Sequence, residues 1–100
     1  MKKLLWIAAA LAGCASTPPP DAEMSAARAM VAQAQPAASQ YAPGELRAAQ
    51  GKLERAEALY AREQFADARL LAEQAEVDAK LAWSLAQSER ARRELAEVQR

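Results

Sequence analysis

The sequence predicts an all-α protein: a three-helix arrangement dominated by an antiparallel hairpin of Ala- and Leu-rich helices, the last of them long and C-terminal. Three observations carry that expectation. Of the 100 residues, 52% are hydrophobic and only 3 are Gly. Ala, Leu, Glu, Gln and Arg, the strong helix formers, fill most positions. Apolar residues from Leu46 onward recur at spacings of three and four, the period of a helix face and not of a strand. A chain this short makes at most one small domain with a marginal core. Its 13 basic residues match its 13 acidic ones, which argues against a nucleic-acid binder, since that would need a basic patch to neutralise phosphates.

The first segment, residues 1–13, has the parts of a secretory signal. Lys2 and Lys3 are the positive start, Leu4 to Leu11 the apolar stretch, and Ala12 and Gly13 the small residues before a cut. The apolar stretch is far too short to span a bilayer permanently, which takes about 20 residues. A plain secretory signal leaves the chain's single cysteine, Cys14, unexplained, and one cysteine cannot make an internal disulfide.

"LAGC" (Leu11, Ala12, Gly13, Cys14) resembles the lipobox of bacterial lipoproteins. The resemblance implies a diacylglycerol group on the Cys14 thiol, with Leu11, Ala12 and Gly13 as the signal-peptidase recognition residues. Cleavage would fall before Cys14 and acylation, palmitate included, would follow at its new amino group. A single acyl chain holds weakly and several hold durably, so residues 14–100 are expected to be anchored to a membrane without spanning it. Ala15 follows the cysteine where inner-membrane lipoproteins tend to carry aspartate, and this favours the outer membrane, facing the periplasm. Loss of Lys2 and Lys3 leaves a net charge of −2, too small to drive binding by itself.

Residues 14–20 read as the lipidated cysteine and its tether. Pro18, Pro19 and Pro20 exclude a helix there. At about 3.1 Å per residue, such a spacer holds a domain roughly 20 Å from the lipid.

The helical domain is expected over residues 21–100. Asp21 suits an N-cap, and an amphipathic helix should run over about 21–35, ended or kinked by Pro36, with "PAASQYA" as a connection. Pro43 suits the first position of a second helix, about 43–62, with Glu45 in its first turn. The seam of that helix is Leu46, Ala49, Leu53, Ala56 and Tyr60, with Gly51 on the other side. A tight turn is expected around Arg62 to Gln64, although no Gly or Pro marks it; one continuous helix through this point is the alternative.

The third helix, about 65–99, carries two stripes. Phe65, Ala68, Ala72, Ala75, Ala79, Ala82 and Ala86 form an almost pure alanine seam, expected to pack against the second helix. Leu70, Val77, Leu81 and Leu85 lie well round the axis and should take either the first helix or another copy of the protein. Opposite charges four apart (Arg69–Glu73, Glu76–Lys80, Glu89–Arg93, Arg90–Glu94 and Arg93–Glu97) should lace the surface. The C-terminal end reads as a solvated or coiled-coil stem, with Glu89, Glu94 and Glu97 offsetting the basic block of Arg90, Arg92 and Arg93.

From Tyr41 onward the chain resembles lipoproteins that carry domain of unknown function 4398. The matching features are Tyr41-Ala42-Pro43 at a helix start, Lys52-Leu53, then a turn, the aromatic Phe65, and "LAEQAEVDA" over Leu71 to Ala79. Some of those proteins continue into a peptidoglycan-binding domain; none is read here, so wall binding is not implied. The family supplies no activity. Leu59-Tyr60, Phe65, Ala68 and Ala75 are also similar to one tetratricopeptide hairpin, a fold that needs several repeats to bury a core.

Chemistry-bearing sets are absent from the sequence. There is no histidine, Cys14 is assigned to lipid, and no catalytic residue, metal site or cofactor is expected. Glu73 with Glu76 or Asp78 could be drawn as an acid–base pair, but surface helix charges account for them. Trp83 sits at the edge of the alanine seam, either capping the hairpin or anchoring a partner. The expectation is a non-enzymatic structural or adaptor lipoprotein of the cell envelope whose contacts are an envelope protein or itself. The alternative is a tetratricopeptide-like module for a peptide or small ligand, with Tyr60, Phe65 and Trp83 as the candidate partner-binding residues.

Overall fold

The computed structural model describes residues 17–100. They form three helices: α1 (Asp21–Tyr41), α2 (Pro43–Ala61) and α3 (Phe65–Val98). The signal segment, Leu11, Ala12, Gly13 and Cys14 lie outside the described residues.

The helices run up, down and up. Asp21 at the start of α1 meets Tyr60 at the end of α2, and Arg28 meets Glu57. Met24 and Ala27 pack with Ala56, Ala72 and Ala75 in one layer. Val31, Ala34 and Ala38 pack with Leu46, Ala49, Ala79, Ala82 and Ala86 in the next. Thus α2 is antiparallel to both neighbours, while α1 and α3 run side by side in the same direction.

The α1 boundaries differ from the sequence expectation. Pro36 lies inside the helix, although an interior proline removes one hydrogen bond and costs about 3 kcal/mol. Its lost bond would go to Ala32, and both residues are exposed, so water can solvate the freed carbonyl. Ala34 and Ala38, on either side, are completely buried against α3. Tertiary packing therefore carries the helix through. The break comes at Ala42 (φ −149°, ψ 54°), because the ring of Pro43 disfavours the helical region for the residue before it. The expected seven-residue connection is a single residue. Asp21 is not an N-cap either: Pro20 holds that place without a side-chain cap, and Asp21 is the first helical residue.

The turn between α2 and α3 falls where expected. Gln64 N–H donates to Leu59 O and Glu63 N–H to Tyr60 O, each at 2.9 Å. That pair of bonds closes a helix with a left-handed residue, usually glycine. Here Glu63 takes that role with φ 59°. A side chain in this conformation costs about 1–2 kcal/mol. Glu63→Gly is therefore expected to stabilise the fold by about 1 kcal/mol in chemical denaturation, an outcome opposite to that of glycine within a helix.

The second-helix seam is as the spacing predicts, with Leu46, Ala49 and Ala56 buried and Leu53 and Tyr60 half-buried. A Cβ at Gly51 would meet open space. Six alanines of α3, Ala68 through Ala86, are completely buried, and Phe65 is half-buried. The row does not face α2 alone. It is shared by α1 and α2, and the largest fully buried side chain among the described residues is Met24. The leucine stripe therefore receives neither α1 nor α2 and stays exposed.

Candidate functional site

Tyr60, Phe65 and Trp83 do not share one surface. Tyr60 and Phe65 flank the turn, their rings edge to face with centroids 5.3 Å apart. Beside them an open groove is lined by Thr17, Glu63, Gln64, Phe65, Ala66 and Asp67. Trp83 stands 18 residues along α3 from Phe65, about 27 Å at the rise of a helix. It is half-buried against the layer that contains Ala42, Leu46, Ala82 and Ala86. Tryptophan thus packs on the layer of the core remote from the turn.

Tyr60 is tied down by an interaction the sequence did not disclose. Its hydroxyl donates to the Asp21 carboxylate across 39 residues. That bond raises the phenol pKa above 10.0; burial and the Asp21 charge push the same way, and Arg28 opposes them. A pKa higher in the folded chain than in the unfolded one means that this contribution is whole below pH 10 and fades as pH climbs through the folded value. The wild type is expected to lose stability above pH 10 more steeply than Tyr60→Phe, as measured by urea unfolding on either side of that pH.

Each of the carboxylates that could have made an acid–base pair is matched to a cation. Glu73 binds Arg69 at 3.0 Å, Glu76 binds Lys80 at 3.1 Å, and Asp78 binds Lys52 at 2.7 Å. The last pair joins α2 to α3 with both side chains about three-quarters covered. Arg69 also reaches Glu23 of α1 at 3.5 Å. Among the described residues no three of His, Cys, Asp and Glu are grouped to hold a metal ion.

Along the C-terminal part of α3, Glu89–Arg93 and Arg90–Glu94 form as the four-residue spacing predicts, at 3.1 and 3.0 Å. Arg93 does not pair with Glu97. Its guanidinium lies 5.1 Å from the centre of the Tyr41 ring, a cation–π contact that α1 can offer only because it passes through Pro36. From Arg90 onward every residue is exposed.

The outer face of α3 is the most distinctive surface. Leu70, Val77, Leu81, Leu85, Leu95 and Val98 are 40 to 83% exposed, on the side of the helix opposite the alanine row. Scattered exposed leucines are ordinary; here the exposed apolar residues recur along one face of the helix. No described helix is long and apolar enough to cross a membrane.

A family model, Domain of unknown function (DUF4398), matches residues 22–98. No curated protein and no solved structure matches the chain. The family match takes in all three helices except Asp21, the first residue of α1, and every one of the apolar positions on the outer face of α3, and on it the chain belongs to the DUF4398 family.

Proposed function

We propose that the protein is a non-enzymatic lipoprotein anchored through Cys14 to the outer membrane and facing the periplasm, where its helical bundle serves as a structural or adaptor module. The observation that carries the adaptor role is the apolar row on the outer face of α3, a surface without a partner among the described residues. The anchor rests on "LAGC" behind an apolar stretch and ahead of three prolines. Several acyl chains on one residue hold a protein to a bilayer while leaving its folded part free to make contacts.

Labelling of cells with a palmitate analogue tests the anchor. The wild-type chain is expected to take up label and to begin, by mass spectrometry, at an acylated Cys14. Cys14→Ser should remain unlabelled with its leader attached. An unmodified thiol in the wild type overturns the anchor. Cross-linking in intact cells tests the adaptor role, which requires a trapped protein partner, a second copy included. As a peptide-binding site the chain would rely on Tyr60 and Phe65 beside the turn, since Trp83 stands apart from them.

A further inference from the structure

The outer face of α3 holds a longer and more regular pattern than its leucines alone. Leu70, Gln74, Val77, Leu81, Ser84, Ser88, Ala91, Leu95 and Val98 follow each other at alternating steps of four and three, and all nine are exposed. This is the a/d seam of a coiled coil, with a positions at 74, 81, 88 and 95 and d positions at 70, 77, 84, 91 and 98. Residues beside such a seam set the partner's direction and register through their charges. Here they are Asp78, Leu85 and Arg92 on one flank and Glu73, Lys80, Gln87 and Glu94 on the other.

We propose that α3 pairs with α3 of a second copy of this chain, antiparallel, about a twofold axis level with Ala86. In that register Val77 faces Leu95 of the second copy, Leu81 faces Ala91, Ser84 faces Ser88, and Gln74 faces Val98. The flanking charges then complement one another: Lys80 lies against Glu94 of the second copy, and Asp78 against Arg92, each pair occurring twice by symmetry. Leu85 meets its own copy on the axis. The side chains of Lys80, Glu94 and Arg92 are 60, 65 and 81% exposed and reach the second copy while keeping their surface pairs with Glu76, Arg90 and Glu89 of the same helix, and Asp78 keeps its bond to Lys52.

Other arrangements lack this match. A parallel pair in register sets Glu73 against Asp78 and forms no ion pair. An antiparallel pair shifted by seven residues toward the N-terminus sets Glu73 against Glu94; shifted the other way it leaves Gln87 against Glu94 and Leu85 against Arg92. Charge complementarity therefore selects one geometry. Gln74, Ser84 and Ser88 within the seam make the association weak and reversible, suited to chains concentrated on a surface. The inference does not depend on acylation of Cys14.

Residues 17–100 suit the test, because every buried side chain among the described residues lies between Pro20 and Ala86, and circular dichroism checks that each variant is folded. Sedimentation equilibrium at concentrations up to about 1 mM is expected to show a monomer–dimer equilibrium. Lys80→Glu should weaken it about tenfold by setting like charges together twice, Glu94→Lys should do the same, and the double variant should restore it. In a mixture of Ser84→Cys and Ser88→Cys chains, oxidation should give the mixed 84–88 disulfide ahead of either self-linked product. A strictly monomeric chain overturns the proposal, and so does failure of the double charge swap to restore pairing. Preferential self-linking of Ser84→Cys overturns it in favour of a parallel pair. A monomer that instead sediments with phospholipid vesicles overturns it in favour of a lipid surface.

Discussion

Ala79→Leu is expected to destabilise the fold by about 3 kcal/mol, a large share of what holds a small domain together. Ala79 is completely buried in the layer where α1, α2 and α3 meet. Three helices can approach closely there only because alanines line the contact, and helix axes packed on small residues sit at the short end of the usual 8–10 Å range. A leucine would have to force the axes apart or adopt a strained rotamer. Overpacking of this kind costs typically 1–3 kcal/mol, occasionally more, and this site has neighbours on two sides. Urea unfolding of residues 17–100 checks it, with Leu81→Ala as the reference. On the exposed face of the same helix that change should stay within about 0.5 kcal/mol at dilutions where the chain is monomeric. A loss of stability no larger for Ala79→Leu than for Leu81→Ala would count against the alanine contact as the core.

Met24→Ala is the second large effect, also about 3 kcal/mol, and it works through the opposite defect. Met24 is 1% exposed and packs with Ala27, Ala56, Ala72 and Ala75. None of these alanines can extend into the space left behind, so the site collapses poorly. Burial of a methionine loses transfer energy plus a cavity term when truncated, 2–5 kcal/mol in sum for such changes. Met24→Leu should recover most of the loss, because it nearly conserves volume. The pair of experiments separates lost volume from any particular need for sulfur.

Much of this architecture is legible in the spacing of residues. The alanine row from Ala68 to Ala86 and the α2 seam are each where a period of three and four puts them. The turn between α2 and α3 falls where that period pauses. What escaped was each feature decided by distant residues. Pro36 reads locally as a stop, and only the burial of Ala34 and Ala38 against α3 overrules it. Glu63 carries no local sign that it will take a left-handed conformation. The Tyr60–Asp21 bond spans 39 positions, and Arg93 chooses the Tyr41 ring over Glu97 because α1 brings that ring within reach. Of the candidate partner-binding residues, Tyr60 and Phe65 do meet, while the helical rise alone separates them from Trp83.

Alanine rows have almost no relief, and this has a mechanical result. A row of methyl groups offers few knobs and shallow holes, so sliding α3 by seven residues, about 10.5 Å, would bring its own alanines back into line, leaving only the larger Met24, Val31 and Leu46 of its neighbours to resist from inside. Axial alignment of α3 is then helped by links at the rim that fit at one position only, Lys52 of α2 to Asp78 and Glu23 of α1 to Arg69, while Arg28 to Glu57 and the Tyr60 hydroxyl to Asp21 align α1 with α2. The interior supplies cohesion, and the rim acts as the detent that stops the rods from shifting lengthwise.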